Sequence, residues 1–114
     1  MRSERLFLAD IRDAIEAIDR WTGERDEEQF LDDDMLQSAV LQKLAVIGEA
    51  AARLSEDTRS GMPDVPWKEI IGFRNVAVHA YFSVDWRIVW VTVKDDLPAL
   101  RQAVVRSMGE PERK

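Results

Sequence analysis

The stretch MLQSAVLQKLAVIGEAAARL, residues 35–54, decides the fold. Val40, Leu44, Ile47, Ala51 and Leu54 recur at steps of four and three. That spacing lines one face of an α-helix and is the seam of a helix bundle. Gly48 and Ala50 to Ala52 are small enough to let a second helix approach closely. Glu49 lies amid these apolar residues. It reads as a surface carboxylate, with a place in a pocket wall as the alternative. Asp33 or Asp34 supplies the N-cap.

Outward from this helix the pattern repeats. Toward the N-terminus, Leu8, Ile11, Ile15 and Ile18 predict a helix over 3–22 that stops at Gly23. Arg5, Arg12, Asp13, Glu16 and Arg20 fall on its solvent side. Residues 24–34 are acidic and read as a solvated loop with one short turn around Phe30 and Leu31. A docking surface for a basic partner is the functional alternative. Toward the C-terminus, residues 55–66 form a connection broken by Gly61, Met62, Pro63 and Pro66. A third helix is predicted from Trp67 to about Phe82. Asp85 caps a fourth, which carries Ile88, Val89, Trp90, Val93, Leu97, Leu100 and Val104. Its IVWVTV segment has strand propensity, but a lone strand would have no partner. Pro98 should kink or restart that helix. The expected fold is all-α: an up-and-down bundle of four main helices with one or two short ones. The expected domain is 1–108, with 109–114 a disordered tail.

Composition narrows the function. The 114 residues leave room for one core. The chain has no cysteine, which removes disulfide and thiol chemistry. No apolar run approaches the roughly 20 residues that span a bilayer, and the acidic N-terminal segment is unlike a signal peptide. A cytoplasmic location, with no membrane, is the expectation. The net charge of −6 disfavours extended, non-specific binding of nucleic acid. A small local site for a few nucleotides stays open.

The third helix carries the chemistry. The chain's one histidine is His79, and Arg74 precedes it by five residues. An ideal helix sets these two roughly 140° apart. Asn75 and His79 are neighbours at i and i+4, and Arg74 and Tyr81 nearly so at i and i+7. The segment thus presents a cation, an amide, an imidazole and a phenol along one broad arc. Val76, Ala77 and Ala80 are left to pack. Such groups suit RNA cleavage by attack of a ribose 2′-hydroxyl on the adjacent phosphorus. The imidazole serves as acid or base, Arg74 offsets the charge on phosphorus, and Asn75 can orient the ring. One chain supplies one imidazole, so a base and an acid together require two chains in a two-fold dimer. No cofactor is called for, and no cluster offers a metal site. Taken alone, a helical His near an Arg is an ordinary surface pair.

A wider likeness changes that. The run IIGFRNVAVHAYFSVDWRIVWVTVKDDLPAL, residues 70–100, closely resembles the HepT-like toxins of the HEPN superfamily. Their signature is Arg, four residues, His, one residue, Tyr, which here falls on Arg74, His79 and Tyr81. The segments 8–19, 47–57, 65–72 and 94–98 also fit, so the likeness spans about residues 5–105. It implies a helical bundle that dimerises near the motif and acts as a metal-independent ribonuclease, with Arg74 and His79 the catalytic pair. It implies a type II toxin–antitoxin system. The partner there is an MntA-type minimal nucleotidyltransferase antitoxin that transfers AMP from ATP to Tyr81. The alternative is a non-catalytic HEPN module or accessory subunit of a nucleotidyltransferase. Trp67, Trp86 and Trp90 read as core or dimer packing, with Trp21 half exposed. Arg53, Arg59, Lys68 and Arg87 are candidates for a basic rim.

Overall fold

A computed structural model describes residues 3–79 and 83–109, together with their side chains except those of 77–79. Every regular element among them is helical: α1 (Glu4–Thr22), α2 (Glu27–Leu31), α3 (Asp34–Ala52), α4 (Glu56–Ser60), α5 (Trp67–His79), α6 (Trp86–Val91) and α7 (Leu97–Ser107). A π-helical segment, Thr92–Asp96, joins the last two. The expected all-α bundle is what forms, with α2 and α4 as its short helices. The expected end of the third helix near Phe82 and all of the expected tail 109–114 except Gly109 lie outside the described residues.

The seam read from the sequence is the core. Val40, Leu44, Ile47 and Ala51 of α3, and Leu54 just past its end, are all buried, and they pack with Leu8, Ile11, Ile15 and Ile18 of α1. The main helices pair as α1 with α3, α3 with α5, and α1 with α7. Phe30, on the short turn in the acidic segment, is fully buried against Trp86 and Trp90, with ring centroids at 6.1 and 5.2 Å. It pins α2 to α6 by edge and tilted ring contacts.

Three acidic residues of the connections, Asp26, Asp33 and Asp85, cap helices. Asp26 and Gln29 form a capping box on α2. Asp33 accepts from the Leu36 amide and caps α3. Gln37 is a buried polar residue, and its amide donates to the carbonyls of Phe30 and Leu31 at 3.1 and 3.0 Å. It closes the end of α2 that the short helix cannot satisfy itself. Glu4 reaches from α1 to the start of α4, accepting from the Ser55 amide and from the hydroxyls of Ser55 and Thr58.

The structure sharpens two details of the fourth helix. Of the two alternatives expected at Pro98, a kink or a restart, the chain takes the restart. Pro98 sits in the first turn of α7, and the strain is taken up one turn earlier. A proline has no amide to bond residue 94, and its ring crowds that carbonyl. The chain widens instead, and Leu97 N–H reaches back five residues to the Thr92 carbonyl. Ile88 is not core: it is 64% exposed, whereas Val89 is buried and Trp86 and Trp90 are half-buried. Residues 86, 89 and 90 share a helical face, and 88 lies across from it.

Candidate functional site on α5

Helix α5 begins where Pro66 bars further turns of the preceding connection. Its first residue anchors it: the Trp67 indole N–H donates to the carbonyls of Arg59 and Met62 at 3.0 and 3.2 Å. Trp67 is therefore scaffold, as the sequence suggested, because its polar edge is spent on the end of α4. Ile70 is buried one turn later.

The helix then crosses α3 at Gly48. A Cβ built there would stand 2.7 Å from the Arg74 amide nitrogen and 3.0 Å from the carbonyl oxygens of Ile70 and Ile71. The two backbones are in contact, and no larger residue fits without moving one of them. This crossing sets the height of Arg74 on the bundle. Its backbone is pressed against α3 while its side chain projects outward.

What Arg74 meets there is charged. Its Nη1 lies 3.6 Å from Oε2 of Glu49, and the other oxygen of that carboxylate accepts from Arg53 Nε at 3.2 Å. All three side chains are well exposed: 43% for Arg74, 50% for Glu49 and 62% for Arg53. Two guanidiniums thus share one carboxylate and leave a local excess of positive charge on an acidic chain. Asn75 is exposed next to Arg74. His79 is the last described residue of α5, about 7.5 Å along the helix axis from Arg74 at 1.5 Å per residue. The side chain of His79 and all of Tyr81 lie outside the described residues.

The sequence singled out Arg74, Asn75, His79 and Tyr81 from one segment. Glu49 it left as a surface carboxylate or a pocket wall, and Arg53 only as part of a loose rim. The i, i+4 spacing of Glu49 and Arg53 was visible. Their meeting with Arg74 was not, because it depends on where α5 crosses α3. Of the remaining rim residues, Arg59 and Lys68 line a shallow depression of about 710 Å³ with Trp67 and Ile71. A second cavity of about 640 Å³ lies between the 57–66 segment and α7, lined by Asp64, Met62, Asp96 and Leu100 among others. Neither includes Arg74 or Asn75, both of which are exposed on α5. Among the described residues no cluster of His, Cys, Asp or Glu is placed to hold a metal ion. No described helix is long and apolar enough to cross a membrane.

A helical bundle that carries an arginine, an amide and its one histidine on a single helix has the makings of an acid–base site for phosphate esters. Comparison with known proteins makes the class specific. Residues 11–107 match the family model described as ribonuclease HepT-like. The chain is 43% identical over 100 residues to a protein of Thermococcus cleftensis named as a probable ribonuclease HepT, covering 88% of this chain and 91% of that one. It is 36% identical over 103 residues to a Methanocaldococcus jannaschii protein provisionally named as an RNase, covering 90% and 94%. No solved structure matches it. The chain belongs to the ribonuclease HepT-like family.

Proposed function

We propose that the chain is a metal-independent endoribonuclease whose working site is Arg74, Asn75 and His79 from both protomers of a homodimer. The observation that carries this reading is Arg74, an exposed guanidinium on the helix that also carries the chain's one histidine, in a member of a ribonuclease family. In the reaction a base removes the ribose 2′-hydroxyl proton, the oxygen forms a bond to the adjacent phosphorus, and the P–O5′ bond breaks. An acid returns a proton to the leaving 5′-oxygen. Arg74 stabilises the charge gathered on the phosphoryl oxygens. Asn75, one turn before His79, orients the ring. The single imidazole of each chain takes the base role in one protomer and the acid role in the other.

The same reading extends to control. The chain is the toxin of a type II toxin–antitoxin pair, and an MntA-type nucleotidyltransferase antitoxin transfers AMP from ATP to the Tyr81 hydroxyl with release of pyrophosphate. The added phosphate and nucleoside exclude RNA by bulk and like charge. The net charge of −6 favours one second reading, a non-catalytic module that holds a nucleotidyltransferase.

Purified protein and a single-stranded RNA separate the two readings. Arg74→Ala and His79→Ala should each lower cleavage by about 10²-fold or more, and cleavage should survive EDTA. Co-expression with the nucleotidyltransferase should add AMP mass units that Tyr81→Phe abolishes. Cleavage that persists in both alanine variants would sink the catalytic assignment, and a wild-type protein that never cuts RNA would favour the binding module.

A further inference from the structure

The cluster of Arg53, Glu49 and Arg74 has a shape that the catalytic reading does not explain. One carboxylate sits between two exposed guanidiniums, each of which leaves further N–H groups turned to solvent. A carboxylate and a phosphodiester present the same kind of target to such a pair: an anion with two oxygens that accept from guanidinium forks. The ion pair to Arg74 is long at 3.6 Å, and half of the Glu49 side chain is in water. In such exposure the pair is weakly held and open to exchange.

We infer that Arg53 is a second phosphate-binding residue of the RNA site, and that Glu49 is a placeholder which a substrate phosphate displaces. Arg53 is the C-cap residue of α3 and Arg74 stands in the middle of α5, and the Gly48 crossing brings them to one carboxylate. Before RNA arrives, Glu49 keeps the two like charges together and orders their side chains. When a phosphodiester binds, its oxygens take over the guanidinium contacts and Glu49 turns to water. Arg74 then serves the reacting phosphate and Arg53 a neighbouring one. The ligand class is single-stranded RNA, recognised through its backbone. This rests on the ribonuclease reading for which phosphate reacts, but the binding claim stands apart from cleavage.

The test uses the full chain and a short 2′-O-methyl oligouridylate, which keeps every phosphate but has no free 2′-hydroxyl to attack. Arg53→Ala should weaken its binding by about tenfold and reduce the slope of log affinity against log salt by about 0.7, one phosphate contact on a single strand. Glu49→Gln should tighten binding by about three- to fivefold, the reach of an exposed ion pair. Arg20→Ala, an equal loss of charge on the exposed end of α1, should leave the slope unchanged. Melting curves verify that each variant is folded. Binding by Arg53→Ala within twofold of wild type overturns the inference, as does weaker binding by Glu49→Gln or no binding by the wild type. Wild-type protein that binds the oligouridylate yet leaves ordinary RNA uncut overturns the ribonuclease reading and leaves the phosphate site standing.

Discussion

Two arginine–glutamate pairs that join helices among the described residues differ in kind. Arg101 of α7 meets Glu16 of α1 with Nε at 3.0 Å and Nη2 at 2.6 Å from the same oxygen. Both side chains are about one-third exposed, at 32% and 37%. Arg74 of α5 meets Glu49 of α3 at 3.6 Å, with both side chains more open to water. The first pair has short, charge-assisted hydrogen bonds and a partly dry setting, which fix two helices. The second has neither, and its helices are held instead by backbone contact at Gly48. The proposed phosphate site rests on this charge, which does not hold the fold.

The largest expected effect comes from the contact that replaces a strong pair at α3 and α5. Gly48→Ala puts a methyl group 2.7 Å from a backbone nitrogen, so one helix must move. The expected loss is about 1–3 kcal/mol, the range of overpacked cores. RNA cleavage should fall with it, because Arg74 leaves its place beside Glu49. Denaturant unfolding and a cleavage assay together check this. Unchanged stability in Gly48→Ala would mean that the crossing is slack and does not position the site.

The pairs themselves separate next, and in opposite directions. Arg101→Met should lower stability by about 1 kcal/mol or less, since both partners remain partly in water, and should leave cleavage intact. Arg74→Met should change stability by less than about 0.5 kcal/mol, as surface substitutions usually do, and should abolish cleavage. Finding the larger stability loss at Arg74 would reverse the comparison and make its ion pair structural.

The same contrast explains what could be read from the residues in order. The α1 and α3 faces were legible because burial there follows period alone: Ile11, Ile15, Val40 and Ile47 are all fully buried. The need for Pro98 to disturb the fourth helix was legible too, since a proline has no amide. The π-widened turn at Thr92–Asp96 was not, because the choice between a kink and a wider turn depends on packing. The site was half legible. Arg74, Asn75, His79 and Tyr81 lie on one segment, and segment chemistry needs no tertiary knowledge. The partnership of Glu49 and Arg53 with Arg74 joins residues on two helices whose crossing point no local pattern specifies. Gln37 was missed for the same reason, since a buried amide closing another helix gives no periodic signal.

The smallest effects concern carboxylates tied to backbone amides, a third mode beside the two pairs. The Ser55 amide, with the Thr58 and Ser55 hydroxyls, holds the Glu4 pKa below its ordinary value, against a smaller opposing effect of burial. The Leu36 amide, and then Arg25, do the same for Asp33. Burial moves Asp19 the other way, with Lys94 and Arg101 partly countering it. A carboxyl whose pKa is depressed in the folded state adds stability above its unfolded value of about 4. That part is lost as pH falls through the folded pKa. Asp19, raised, acts in the opposite sense: it favours folding when protonated, and that contribution fades as pH rises through its folded pKa. Acid melts should therefore flatten in Glu4→Gln. They should flatten also in Asp33→Asn, where an asparagine still caps α3 and only the charge is lost. In Asp19→Asn they should steepen, because an opposing contribution has been removed. An Asp33→Asn protein whose melting temperature falls with acid as steeply as wild type would show that the cap works by its hydrogen bond alone.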